Sequence, residues 1–322
     1  GKDEPRRKHE NRKPPHPDIV HPPATTRVLT SDAWFVELSP VVEILGIKVA
    51  LALLESWAGW LAPDPQPFLV GSRDGWRDCE GEAGQLSKEL VDTYQFYGVA
   101  PDTRVVWLSE SAFHALPRAR RTALVREQVA RKRASVPTVR AWADVIDPTV
   151  LRSQAGGHRF VWWPSLVAVD PVAVLHRVVS TRRLVSRHRE VENSTWKRCG
   201  SVLPGARQLA GTFPAASNTC CFGTVMAAAG VDDTHACDSL DAFVDWLHTA
   251  CRKGGDASRA GTVLVWRNRQ GDPVHAAVTI GDGWALEKPS GDWHAPRAVA
   301  TVTDVVRMSR HPGERLERHT IN

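Results

Sequence analysis

The chain is 322 residues long, 42% hydrophobic, 24% charged and 7% aromatic, a globular composition that excludes wholesale disorder, collagen and coiled coil. Its 41 basic and 36 acidic residues leave a formal net charge of +5. Part of that surplus sits in the first 13 residues, so no body-wide field for nucleic acid is expected.

Residues 1–27 read as a disordered, basic, Pro-rich tail, because so few apolar groups cannot offset the entropy of ordering. Weak contact with a polyanion is the most that tail offers a nucleic acid. Residues 28–196 read as a helix-rich domain of unknown role. Val41 to Ala62 has helical periodicity, and Glu43, Lys48 and Glu55 within it exclude a membrane span; an amphipathic or largely buried helix is expected. Gln85–Phe96 is a second helix and Arg104–Leu108 a short strand, followed by Ser109 as the cap of Glu110–Leu116. Pro117–Ala134 is a basic helix with Leu124, Val125 and Val129 on its apolar face, Arg159–Trp163 a strand, and Asp170-Pro171 the start of the helix Val172–Val179. Trp57, Trp60, Trp162 and Trp163 read as core and interface anchors. No internal repeat, phosphate loop, GxGxxG, HExxH or GxSxG pattern is present.

The cysteines are Cys79, Cys199, Cys220, Cys221, Cys237 and Cys251, with no CxxC pair and no spacing that suggests a disulfide framework. Free thiols in a reducing compartment, the cytoplasm, are expected. Gly1 is not Met and no apolar signal segment follows it. His235, Cys237, Cys220 and Cys221 match no common zinc spacing, so no metal and no cofactor is assigned.

Residues 197–322 carry the chemistry. Ser217–Gly230 reads as a loop and then a helix, capped by Asn218 or Thr219 and ended by Gly230, with Cys220 and Cys221 in the first turn. Free N–H groups and the helix dipole at that point are expected to lower a thiol pKa and to receive an oxyanion. Asp238-Ser239 caps a helix Leu240–Arg252; Thr262–Asn268, Val274–Ile280 and Trp284–Lys288 then form a meander. Helix, helix, meander is an α+β pattern.

Along the second of these strands His275, Ala277 and Thr279 share one face. A three-residue loop Gly281-Asp282-Gly283 sets Ile280 opposite Trp284 and Ala277 opposite Glu287, so Glu287 falls on the His275 face within side-chain reach. A two-residue loop would send it to the other face. Cys221 as nucleophile, His275 as base and Glu287 as its orienter make a nucleophile triad; Cys220 is the rival nucleophile. Ser290, Asp292, Trp293 and His294 would border the cleft.

Cys221-Phe-Gly-Thr-Val225 resembles the Cys-Ser/Phe-Gly-x-Val motif of NlpC/P60-like cysteine peptidases, and His275-Ala-Ala-Val-Thr-Ile-Gly-Asp-Gly283 is similar to that family's His-strand. The resemblance covers roughly residues 200–310. It implies a papain-like core, a Cys-bearing helix packed on an antiparallel sheet that carries the His, and amide hydrolysis through a thioester on a peptide or amide-containing small molecule. Cys220 replaces the usual Asp or Asn before the nucleophile, which argues against a cell-wall peptide. Two alternatives stay open: an acyltransferase or transglutaminase-like enzyme on the same triad, and an inactive binding module whose basic tail holds a polyanion.

Overall fold

The computed structural model describes residues 41–71, 86–97, 103–181, 183–217, 220–231 and 239–322. The tail over residues 1–27 lies outside them, as do Cys79, Asn218, Thr219, His235, Cys237 and Asp238.

The described chain opens as a hairpin where a helix was expected. Strands β1 (Val41–Ile44) and β2 (Ile47–Ala50) pair antiparallel, and helix α1 (Leu51–Leu61) begins only afterwards. Leu45 and Gly46 have φ of 54° and 76°, the two-residue turn whose twist suits a hairpin. Four of the strand positions are filled by Val42, Ile44, Ile47 and Val49, β-branched residues that favour a pleated surface. Ile44, Ile47, Leu51 and Leu54 happen to follow a helical spacing, which is why periodicity alone misread the first half.

Strands β3 (Gln66–Gly71) and β4 (Thr103–Leu108) form a second antiparallel pair around helix α2 (Lys88–Tyr94). Ser109 accepts the Ala112 N–H at 3.1 Å and caps α3 (Glu110–Ala115). The basic helix α4 (Arg118–Ala130) follows, and its Gln128 bonds both ways to the Leu69 backbone at 2.8 Å. Helices α5 (Val139–Trp142), α6 (Pro148–Gln154), α7 (Pro164–Val167) and α8 (Pro171–Ser180) complete this half.

Residues 159–163 are extended without joining a sheet, apart from one bridge between Arg159 and Thr138. The alternation that suggested a strand has another use. Phe160 and Trp162 enter the core of α1 and α8, while Val161 and Trp163 enter that of β3 and β4.

The second half holds α9 (Asn193–Cys199), α10 (Ala206–Leu209), α11 (Cys221–Ala228) and α12 (Leu240–Ala250), and then β5 (Cys251–Lys253), β6 (Ala260–Arg267), β7 (Pro273–Gly281), β8 (Trp284–Glu287), β9 (Ala298–Thr301), α13 (Val302–Met308) and β10 (Arg315–Ile321). The strands form one antiparallel sheet in the order β5-β10-β6-β7-β8-β9. Ser239 caps α12, which stops at Ala250 because Cys251 and Arg252 pair with β10. The fold is α+β. On one face Val225, Met226 and Ala228 of α11 pack on Val263, Val265, Ala276, Val278 and Leu286. On the other, Val305 of α13 packs on Leu264, Trp266, Ala277, Ala285 and Ala300. Among the described residues no helix is long and apolar enough to cross a membrane.

Candidate active site

Helix α11 begins where the backbone leaves extended Cys220, whose φ and ψ are −87° and −176° and whose carbonyl accepts the Thr224 N–H at 3.0 Å. Cys221 is therefore the first helical residue. Gly230, at φ 85°, closes the helix. The packing of α11 on β7 and β8 carries Cys221 to the sheet, where it is only 7% exposed.

The hairpin register matches the expectation where it matters: Ala277 lies opposite Glu287. The end of the hairpin differs, because a bulge after Thr279 sets Gly281, not Ile280, opposite Trp284. The bulge absorbs the extra residue before it can slip the rest of the ladder. His275 Nε2 thus stands 3.5 Å from Glu287 Oε2, an ion-pair distance without hydrogen-bond geometry. Ser309 donates to the same carboxylate oxygen at 3.2 Å, and the Trp266 ring lies 5.0 Å from the imidazole. His275 and Glu287 line a cavity of about 300 Å³ with Arg183, Leu184, Ser309 and His311.

Cys221 approaches the same strand from the α11 side. The backbone N–H of Ala276, the residue next to His275, points at its sulfur, as does that of Phe222. No hydrogen bond joins Cys221 to His275 among the described residues, since strand alternation turns the imidazole toward α13 and the α11 packing holds the thiol on the Ala276 side. The structure brings two of the three expected groups together and sets the third against the backbone between the two faces.

The expected lowering of the Cys221 pKa is reversed. The Cys220 thiol hydrogen-bonded to it, together with burial, pushes Cys221 well above the ordinary thiol value, and the two backbone N–H groups pull down without prevailing. A helix terminus contributes at most about 2 kcal/mol, less than the cost of burying a thiolate.

A polar cluster forms around Lys288, a residue the sequence did not signal. Lys288 follows Glu287, so it turns to the opposite face and lies buried. It donates to the carbonyls of Ser290 and Asp292. Asp292 accepts from Ser290 Oγ at 2.9 Å and stands 3.6 Å from His294 Nε2 and 3.7 Å from Arg183 Nη2. Burial lowers His294 to about 4. Of the four residues expected to border the cleft, Ser290, Asp292 and His294 belong to this cluster. Trp293 is instead a core anchor, 5.7 Å from the Trp57 ring.

Helix α2 reaches into the same place. Glu89 accepts the Ser217 N–H at 3.2 Å, Thr93 accepts the Trp293 indole N–H at 2.8 Å, and Ser217 Oγ accepts the Trp293 backbone N–H at 3.0 Å. Burial raises the pKa of Asp92, which faces Ser217, Asp292 and Lys288. Only strand alternation at Lys288 could have been read beforehand; Asp92 and Arg183 arrive through tertiary packing.

Among the described residues no group of three or more His, Cys, Asp or Glu side chains is placed to hold a metal ion. Comparison with known proteins gives no match: no family model, no curated protein and no solved structure matches the chain.

Proposed function

We propose that the chain is a cysteine-dependent hydrolase of amide bonds, with Cys221 as nucleophile, His275 as base and Glu287 as orienter, built on a papain-like core of the NlpC/P60 kind in residues 197–322. The observation that carries the reading is the His275–Glu287 pair at 3.5 Å on the strand whose next residue, Ala276, meets the Cys221 sulfur. For this chemistry the Cys221 thiol must leave Cys220 and reach the imidazole, which takes its proton. The thiolate adds to the substrate carbonyl, and the oxyanion meets the free N–H groups at the start of α11. His275 returns the proton to the leaving amine as the C–N bond breaks, and water then hydrolyses the thioester with His275 again as base. Glu287 fixes the imidazole tautomer and offsets its positive charge. The substrate is a peptide or an amide-containing small molecule, and the compartment a reducing one such as the cytoplasm. An amine in place of water at the second step gives acyl transfer on the same groups.

The test combines turnover of a panel of fluorogenic peptide amides with iodoacetamide labelling mapped by peptide mass. The reading expects amide cleavage and labelling of Cys221 faster than Cys251. One observation favours a second reading, an inactive module that keeps the fold: the Cys221 thiol is buried and pushed above its ordinary pKa. That reading expects Cys221 to label no faster than Cys251 and no substrate to be cleaved.

A further inference from the structure

Helix α1 carries two apolar stripes, and the described chain covers one of them. Leu54, Trp57 and Leu61 enter the core. Leu51, Ala58, Gly59 and Ala62 follow the i, i+7, i+8, i+11 spacing of a single helix face. With Val167 of α7 and Val172 of α8 they line an open groove of about 560 Å³. Leu51 and Val172 are 36% and 39% exposed there. Two carboxylates, Glu55 and Asp64, also line the groove, and among the described residues no basic side chain does. Gly59 lies inside the helix, where glycine costs stability relative to alanine. Yet a Cβ at Gly59 would meet no atom within 4 Å. Nothing in the described chain requires this glycine; what it preserves is the depth of the groove.

We propose that the groove between α1, α7 and α8 is a docking site for an amphipathic helix of a partner protein, with basic residues flanking its apolar face. Three features select that occupant. Apart from the two carboxylates every side chain lining the groove is apolar, so the occupant must satisfy its own backbone. A helix does so, whereas an extended segment would leave N–H and C=O groups unpaired against the walls. The α1 stripe from Leu51 to Ala62 runs about 16 Å, the length of three turns of a partner helix. The charges are set for such a partner as well. Glu55 and Ala62 are two turns apart, about 10 Å, and Asp64 lies just past Ala62, where its Oδ1 accepts the Glu110 N–H at 3.0 Å. One cationic headgroup could meet only one of these carboxylates, but a helix with Lys or Arg two turns apart presents a cation to each. The inference is independent of the hydrolase reading, because no residue lines both this groove and the cavity beside His275.

The experiment selects a displayed library of helical peptides against the full chain. Apolar residues are fixed at i, i+3, i+4 and i+7, and the flanking positions are open to Lys, Gln and Glu. Selected peptides are then synthesised and titrated by fluorescence anisotropy against wild type, Gly59→Arg and Glu55→Lys. The expected result is enrichment of Lys at flanking positions two turns apart. Gly59→Arg, which fills the floor and brings a like charge, is expected to weaken binding about tenfold or more. Glu55→Lys, at an exposed position, is expected to weaken it about threefold or more. Both variants are checked for a wild-type thermal transition, and if Gly59→Arg does not fold, Glu55→Lys decides. Selected peptides that bind the folded variants as tightly as wild type overturn the proposal, as do groove-dependent peptides with acidic flanks. Absence of enrichment overturns it too, whatever else fills the groove: a second copy, seen as a dimer that Gly59→Arg disperses in sedimentation, or a segment of the chain itself.

Discussion

The two faces of the β7–β8 ladder carry opposite kinds of chemistry a single residue apart. On the α13 face, His275 and Glu287 stand 3.5 Å from each other beside a cavity. On the α11 face, Cys221 and Lys288 lie buried, the thiol pushed up and the ammonium drawn down to about 7. The paired face sets an imidazole beside a carboxylate. Burial disfavours charge on both groups of the other face.

Breaking the buried face at the proposed nucleophile has the largest expected effect. Cys221→Ala is expected to lower amide turnover by about 10³-fold or more, with the thermal transition retained; wild-type-like turnover would reassign the nucleophile to Cys220. Next comes the packing that holds this face in place. Leu286 is fully buried against α11, and Leu286→Ala is expected to cost about 2–5 kcal/mol in denaturant unfolding. A smaller change would mean that α11 does not depend on this sheet for its seat.

The paired face is tested by Glu287→Gln, which keeps the shape and removes the charge. Turnover is expected to fall on the order of 10–100-fold, and a drop confined to KM would make Glu287 a substrate contact instead. The smallest effect concerns His294, held at about 4 by burial, Arg183 and Lys288. The unfolded chain protonates this imidazole near pH 6.5 and the folded chain only near 4, so the unfolded state binds more protons between those values. Stability is complete above pH 6.5 and is lost as pH falls toward 4. Urea midpoints across that window are expected to slope less in His294→Gln than in wild type.

How much of this was legible in the sequence follows from the range of the forces involved. Local signals were read correctly where Ser109 and Ser239 cap helices and Gly230 ends α11; Glu287 does lie opposite Ala277, but through a two-residue turn and a bulge after Thr279 in place of the expected three-residue loop. Two segments were misread because pattern and ladder are different things. Residues 41–50 imitate a helical period yet turn at Leu45-Gly46, and residues 159–163 alternate because they plug two cores. In the site, the His275–Glu287 pair follows from register alone. The thiol's protonation state did not, because the helix terminus is visible in sequence whereas burial against β7 and the Cys220 hydrogen bond are products of packing.

The bonds from Glu89 and Thr93 to Ser217 and Trp293 have a practical consequence for anyone trimming this protein. The short helix that supplies them lies more than a hundred positions upstream, yet it holds Ser217, ahead of the Cys221 helix, and Trp293, in the loop that leaves the hairpin. A truncated fragment beginning near residue 197 would lose those bonds and expose the indole of Trp293, so its behaviour would report on the cut before it reported on the chemistry.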